Sequence, residues 1–97
     1  MASLFLRDEA RADLAEAFRW YEGRRTGLGL EFTRSARSAL QSIEDNPAQY
    51  PIAVDDIRKA PLRRFPYVVY YVVLDSDVSV IAVMHSRRHP RRWQERR

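Results

Sequence analysis

The densest concentration of groups able to do chemistry lies near the C-terminus, in the run His85-Ser86-Arg87-Arg88-His89-Pro90-Arg91-Arg92. An imidazole titrates near neutrality, so His85 is a candidate general acid or base. Arginine carries a permanent charge and a planar fork of donors that suits phosphate and carboxylate. That makes Arg87 and Arg88, together with Arg58 and Arg64, candidates for binding an anionic target. His85 and His89 stand four apart, but the first closes a strand-like stretch and the second follows it. With no third ligand in sight, a metal centre is not expected. No Ser-His-Asp order, phosphate-binding glycine loop or carboxylate pair points to another enzyme class, and no cofactor is expected.

The charge is placed unevenly. Residues 1 to 86 hold 11 Lys or Arg against 12 Asp or Glu, whereas residues 87 to 97 hold six Arg against Glu95 alone, a local +5 on a chain of net +4. A near-neutral body with one cationic end implies an anionic partner there, nucleic acid or an acidic protein; the plainer reading is a solvated tail. The chain has no cysteine, so neither disulfides nor thiolate metal sites supplement the core, and the composition suits a reducing cytoplasm. Met1 to Arg7 has no long apolar stretch before the charges at Arg7, Asp8 and Glu9, so no secretory leader is expected. The longest apolar run, Phe65 to Leu74, is about half of the roughly 20 residues that a membrane helix requires, so no membrane association is expected.

The elements that must position these groups can be read from periodicity. At 97 residues, one domain spanning the whole chain is expected, with a modest core. Met1 to Arg7, with Leu4, Phe5 and Leu6, reads as a short strand. From Asp8, taken as N-cap with Glu9 in the first turn, Ala10, Leu14, Ala17, Phe18 and Tyr21 recur at helical spacing as far as Arg24. Gly23 and Gly27 bracket a turn, after which Leu28, Phe32, Ala36, Ala39, Leu40 and Ile43 repeat the pattern until Asn46-Pro47 ends it. The short connection makes these helices an antiparallel hairpin, with Arg11, Arg19, Arg34 and Arg37 facing outward. Residues 47 to 56 read as an irregular crossing, and Ile57 to Leu62 as a short strand whose Pro61 favours an edge. Phe65 to Leu74 and Asp77 to His85, parted by Asp75-Ser76, form an antiparallel pair rich in Val, Tyr and Ile. Both faces of the first of these strands are apolar, and one helical layer covers only one of them. The other needs cover from the C-terminal segment with Trp93, from a partner, or from both. The expected core contains Leu14, Phe18, Phe32, Leu40, Ile43, Val69, Tyr71, Val80 and Ala82.

This order is α+β: βααβββ, an N-terminal helical hairpin packed on a small antiparallel sheet. Seven pieces fall along it in sequence: Ala10, Asp13 and Leu14; Trp20-Tyr21-Glu22; Gly27-Leu28-Gly29 with Phe32; Pro47-Ala48-Gln49-Tyr50-Pro51; Ile57-Arg58-Lys59; Arg64-Phe65-Pro66-Tyr67 with Val69-Tyr70; and His85-Ser86-Arg87-Arg88 with Pro90 and Trp93. In that order and spacing they resemble the RelE/ParE superfamily of toxins from type II toxin–antitoxin systems, over nearly the whole chain. Most of the pieces have a structural explanation too, as ring packing, turns and fixed backbone, so the signature is mainly one of fold.

The resemblance implies a cytoplasmic toxin neutralised by a cognate antitoxin, in a hetero-oligomer with it. Its members divide into RelE-like ribonucleases, which cut messenger RNA on the ribosome, and ParE-like toxins, which poison DNA gyrase. Laid on the RelE-like pattern, this sequence has Tyr67 where a catalytic arginine is expected and Ser86 near the place of a second. Neither neutralises phosphate at pH 7. The first reading is therefore a ParE-like inhibitor of gyrase that acts by binding. The alternatives are a ribosome-dependent mRNA endoribonuclease using His85, with Arg63, Arg64, Arg87 and Arg88 standing in, and a non-toxic nucleic-acid-binding module.

Overall fold

The computed structural model describes residues 3–97, so the Met1 end of the expected first strand lies outside the described residues. In chain order the elements are β1 (Ser3–Leu6), α1 (Asp8–Arg24), α2 (Leu28–Asp45), a 3-10 turn (Pro47–Gln49), β2 (Ile52–Val54), β3 (Ile57–Pro61), β4 (Tyr67–Leu74), β5 (Asp77–His85) and a single-turn α3 (Arg91–Gln94). The strands form one sheet in the order β1-β5-β4-β3-β2. The α+β architecture with its helical hairpin is as expected, with two additions. Three-residue β2 pairs with β3 through a turn in which Asp55 takes a left-handed φ of 50°. And β1 runs parallel to β5, placing Leu4 beside Val78, so the sheet is not wholly antiparallel.

The helices begin for reasons readable in the residues. Arg7, not Asp8, is the N-cap of α1: its N–H is spent on the Val80 carbonyl at 3.0 Å as the last rung of β1, and the chain turns directly into helix. Asp8 and Glu9 then favour the positive end of the helix by charge, as Arg24 does the other end. At the hairpin turn Gly27 adopts φ 91°, which a side chain would resist. The carboxylate of Glu22 reaches across from α1 and accepts the N–H groups of Gly27 and Gly29, each at 2.9 Å. Two donors that open α2 without a partner inside their own helix are thus capped by a side chain of the preceding one.

Alanines let the helices approach the sheet closely. Ala10, Ala17 and Tyr21 of α1 are buried, as are Phe32, Ala36, Ala39 and Ile43 of α2. Tyr21, Phe32, Phe65 and Tyr67 pack as one cluster of rings with centroids 4.9 to 5.9 Å apart. Leu14 and Leu40 pack partly buried at the margin. Phe18 departs from expectation: it is 38% exposed, because it leans across the hairpin over Gly29 and not onto the sheet.

The sheet is buried on both faces, and a bulge sets which residue faces which way. Tyr70 pairs with Ala82 and Tyr71 with Val80, which leaves Ile81 as an extra residue in β5. Before it, Val78 and Val80 point to the helices; beyond it, Val83 does. Ile81, Ala82 and Met84 join Val68, Tyr70 and Val72 on the far face, so Ala82 belongs to that second core and not to the one under the helices. The far face finds its cover within the chain: Trp93 of α3 is buried and stacks on Tyr70, centroids 4.2 Å apart and planes 12° from parallel.

Although β3 lies inside the strand order, β2 reaches only to Arg58 and to the Lys59 N–H, which donates to the Pro51 carbonyl at 3.1 Å. Pro61 therefore sits on an open stretch of edge, where its missing donor costs nothing. The crossing from α2 is fastened by Tyr71, whose hydroxyl donates to the Pro47 carbonyl at 2.6 Å, and by the hydrogen bond between the Tyr50 hydroxyl and Ser42 Oγ at 2.9 Å.

Candidate functional site

Two concave surfaces flank the hairpin. The smaller, about 120 Å³, lies where α1 meets the start of β4 and the end of β5. Asp13 and Glu16, one turn apart on α1, face Tyr67, His85, Arg88, Arg92 and Arg96. Arg96 meets Asp13 through two nitrogens, at 2.5 and 3.1 Å, and also donates to the Ile81 carbonyl at 3.2 Å. Arg88 stands 3.9 Å from Glu16. Tyr67 and His85 meet edge to face at 5.5 Å, and His85 Nδ1 accepts the Arg87 N–H at 3.1 Å. Burial raises the Tyr67 pKa; nearby Arg88 opposes this, while Glu16 and Asp13 add to it, so its hydroxyl stays protonated at neutral pH. The cleft thus holds a neutral phenol, a half-buried imidazole and cations of which two already have carboxylates.

The larger surface is a groove of about 790 Å³ between α2 and the loop after β3. Leu30, Glu31, Arg34, Ser35, Ser38 and Ser42 form its helical wall, and Pro61, Arg63, Arg64 and Phe65 its other side. Arg64, at a left-handed φ of 71°, pairs with Glu31 at 3.3 Å, and Arg25 pairs with the other carboxylate oxygen at 3.2 Å. Half-exposed Leu30 gives the groove an apolar foothold. Among the described residues, Arg34 and Arg63 have no carboxylate partner.

The four arginines singled out from the sequence do not make one cluster. Arg87 and Arg88 lie together after β5, whereas Arg64 lines the groove on the α2 side. Arg58 is occupied structurally, donating to the carbonyls of Tyr50 at 2.6 Å and Ala48 at 3.4 Å. The cationic end is not a free tail either. Arg88, Arg96 and Arg97 are matched with Glu16, Asp13 and Asp56, and the Arg97 hydrogen bonds hold the Asp56 carboxyl below its ordinary pKa. His89 is an exposed turn residue whose Nδ1 accepts the Arg91 N–H at 3.1 Å. Among the described residues no group of three or more His, Cys, Asp or Glu is placed to hold a metal, and no helix is long and apolar enough to cross a membrane. Sequence reasoning passed over Asp13 and the groove residue Arg34, and offered Arg63 only as a stand-in cation for a nuclease. Asp13 stood in the family-like start of the first helix without a role, and Arg34 was placed only as outward-facing.

Residues 4–90 match the family model described as "ParE toxin of type II toxin-antitoxin system, parDE". The chain belongs to this family of toxins, whose members act within toxin–antitoxin pairs. Among solved structures it is similar to one titled "Chromosomal ParDE TA system from P. aeruginosa", with a TM-score of 0.79 at 19% identity, over 88% of this chain and 96% of that one. At that identity the likeness concerns the fold. No curated protein matches the sequence.

Proposed function

We propose that this chain blocks DNA gyrase by binding to it, without chemistry of its own, and that a cognate antitoxin neutralises it. The observation that carries this reading is the state of the cleft at the ends of β4 and β5. A ribonuclease of this architecture needs free cations around the scissile phosphate. Here Tyr67, an uncharged phenol, lines the cleft, Arg88 and Arg96 face Glu16 and Asp13, and Arg92 is the one lining arginine without a carboxylate partner among the described residues. Membership of the ParE toxin family agrees with this.

The far face of β4 is already covered by Trp93, so the antitoxin is not required there. The groove along α2 suits it better: Leu30 offers an apolar foothold, while Arg34 and Arg63 offer unmatched positive charge. Because Pro61 has no N–H on the open stretch of β3, an added strand would find a broken ladder there, so the occupant is an amphipathic, acidic helix. The test uses purified chain in two assays. Inhibited gyrase supercoiling, relieved by the antitoxin, with normal cell-free translation is the expected result. Cleaved messenger RNA on ribosomes, abolished by His85→Ala, with supercoiling untouched, would overturn the reading in favour of a nuclease.

A further inference from the structure

The arginines of residues 87 to 97 divide into two sets by their partners. Arg88, Arg96 and Arg97 anchor the segment on Glu16, Asp13 and Asp56, and the buried Trp93 ring fixes it to Tyr70. Arg87, Arg91 and Arg92 are exposed and have no carboxylate partner among the described residues. Anchored on both sides of Arg91 and Arg92, these three are held on a fixed turn and a single helical turn instead of an unstructured arm. From this division we infer that Arg87, Arg91 and Arg92 form a docking site for a nucleic-acid backbone, an activity separate from antitoxin or gyrase binding.

Charge complementarity alone admits an acidic peptide as well, but the neighbourhood favours phosphodiester. A peptide gains most of its affinity by burying apolar side chains in pockets. The large apolar residue of this segment, Trp93, is turned inward, and the rest of 86 to 95 is exposed and polar apart from Pro90. Phosphates need only cations and donors, and release of their counterions supplies the affinity. Arginine, whose planar donors meet phosphate oxygens in pairs, suits this better than lysine. The carboxylates nearby are Glu95, within the segment, and Asp13 and Glu16, which line the cleft beside Arg92 and face Arg96 and Arg88.

The experiment is fluorescence anisotropy of the full chain with labelled single-stranded and duplex oligonucleotides over a range of salt. Binding should weaken steeply with salt. The variant Arg87→Ala/Arg91→Ala/Arg92→Ala should lose about tenfold or more in affinity at low salt, and its log–log salt slope on duplex should fall by about 2 to 3, roughly 0.9 for each phosphate no longer neutralised. A control of equal charge change, Arg11→Ala/Arg19→Ala/Arg37→Ala, should keep the wild-type affinity and slope. Equal losses in both variants would reduce the effect to net charge and overturn the site. So would wild-type binding that is undetectable, or unchanged in the first variant. Should that variant fold poorly, the wild-type chain decides by amide NMR: oligonucleotide must shift residues 87 to 92, and shifts confined elsewhere, or produced there only by an acidic peptide, sink the proposal.

Discussion

Asp13 Oδ2 accepts hydrogen bonds from both the Arg96 guanidinium and the Val83 N–H, at 2.5 and 2.9 Å, so one carboxylate ties the first helix, the strand beyond the bulge and the end of the chain together. Its side chain and that of Arg96 are mostly buried, so each would lack a partner if the other were removed. Asp13→Ala should therefore cost about 1–3 kcal/mol in urea unfolding, more than a surface ion pair contributes. In a double-mutant cycle with Arg96→Ala the losses should be strongly non-additive. Additive losses would show that the two residues act separately.

Trp93→Ala should remove the cover from Tyr70, Val68 and Met84 and leave an apolar sheet face in water. A cost of about 2–4 kcal/mol is expected, a large share of what a domain of this size has. Binding of a hydrophobic dye should rise before global unfolding. A variant that melts with the wild type and binds no dye would place the tryptophan elsewhere.

Glu22→Ala should uncap α2 by leaving the Gly27 and Gly29 N–H groups without their acceptor. The expected loss is about 1–2 kcal/mol. Hydrogen exchange should locate it, with faster exchange at Gly27 and Gly29. Unchanged exchange there would argue against the cap.

Phe32 and Phe18, both assigned to the core by helical spacing, should respond differently. Phe32 is 1% exposed within four interacting rings, and Phe32→Ala should cost about 3–5 kcal/mol; Phe18→Ala should cost much less, on the order of 1 kcal/mol. Equal losses would mean that Phe18 packs more deeply than its exposure indicates.

Alkaline pH should destabilise the fold through its tyrosines. Burial pushes Tyr71 from its ordinary 10.0 up to about 12, and raises Tyr21, Tyr67 and Tyr70 as well. Above pH 10 the unfolded chain releases a phenolic proton that the folded chain retains, so unfolding becomes progressively easier. Stability from this source is complete below pH 10 and is lost as pH rises through about 12. The melting temperature of Tyr71→Phe should fall less steeply than that of the wild type across this window. Parallel curves would remove Tyr71 as the cause.

Much of the fold was legible because its signals are local. The Val, Tyr and Ile of β4 and β5, the helical spacing from Ala10 to Tyr21 and from Leu28 to Ile43, and the stop at Pro47 each act over a few residues. β2 was not, since Ile52-Ala53-Val54 between Pro51 and Asp55 is too short to show a period. Nor was the bulge at Ile81: one extra residue inside an apolar run changes no residue type, yet it reverses the faces of all that follow and carries Ala82 with it. The candidate site was the least legible part. Arg96 and Asp13 stand 83 positions apart and Arg97 and Asp56 stand 41 apart, so a run of arginines looked like a free tail when half of it is matched within the fold.

The parallel pairing of β1 with β5 also governs when the molecule can exist. During synthesis Leu4 and Asp13 emerge early, whereas Val78, Val83 and Arg96 emerge near the end. At about 5–20 residues per second, the helical hairpin leaves the ribosome seconds before its sheet is complete. No shortened product ending before β5 can close the fold, because β1 and Asp13 would then lack their partners. The sheet therefore closes from both ends of this sequence at once, and only after β5 has been made.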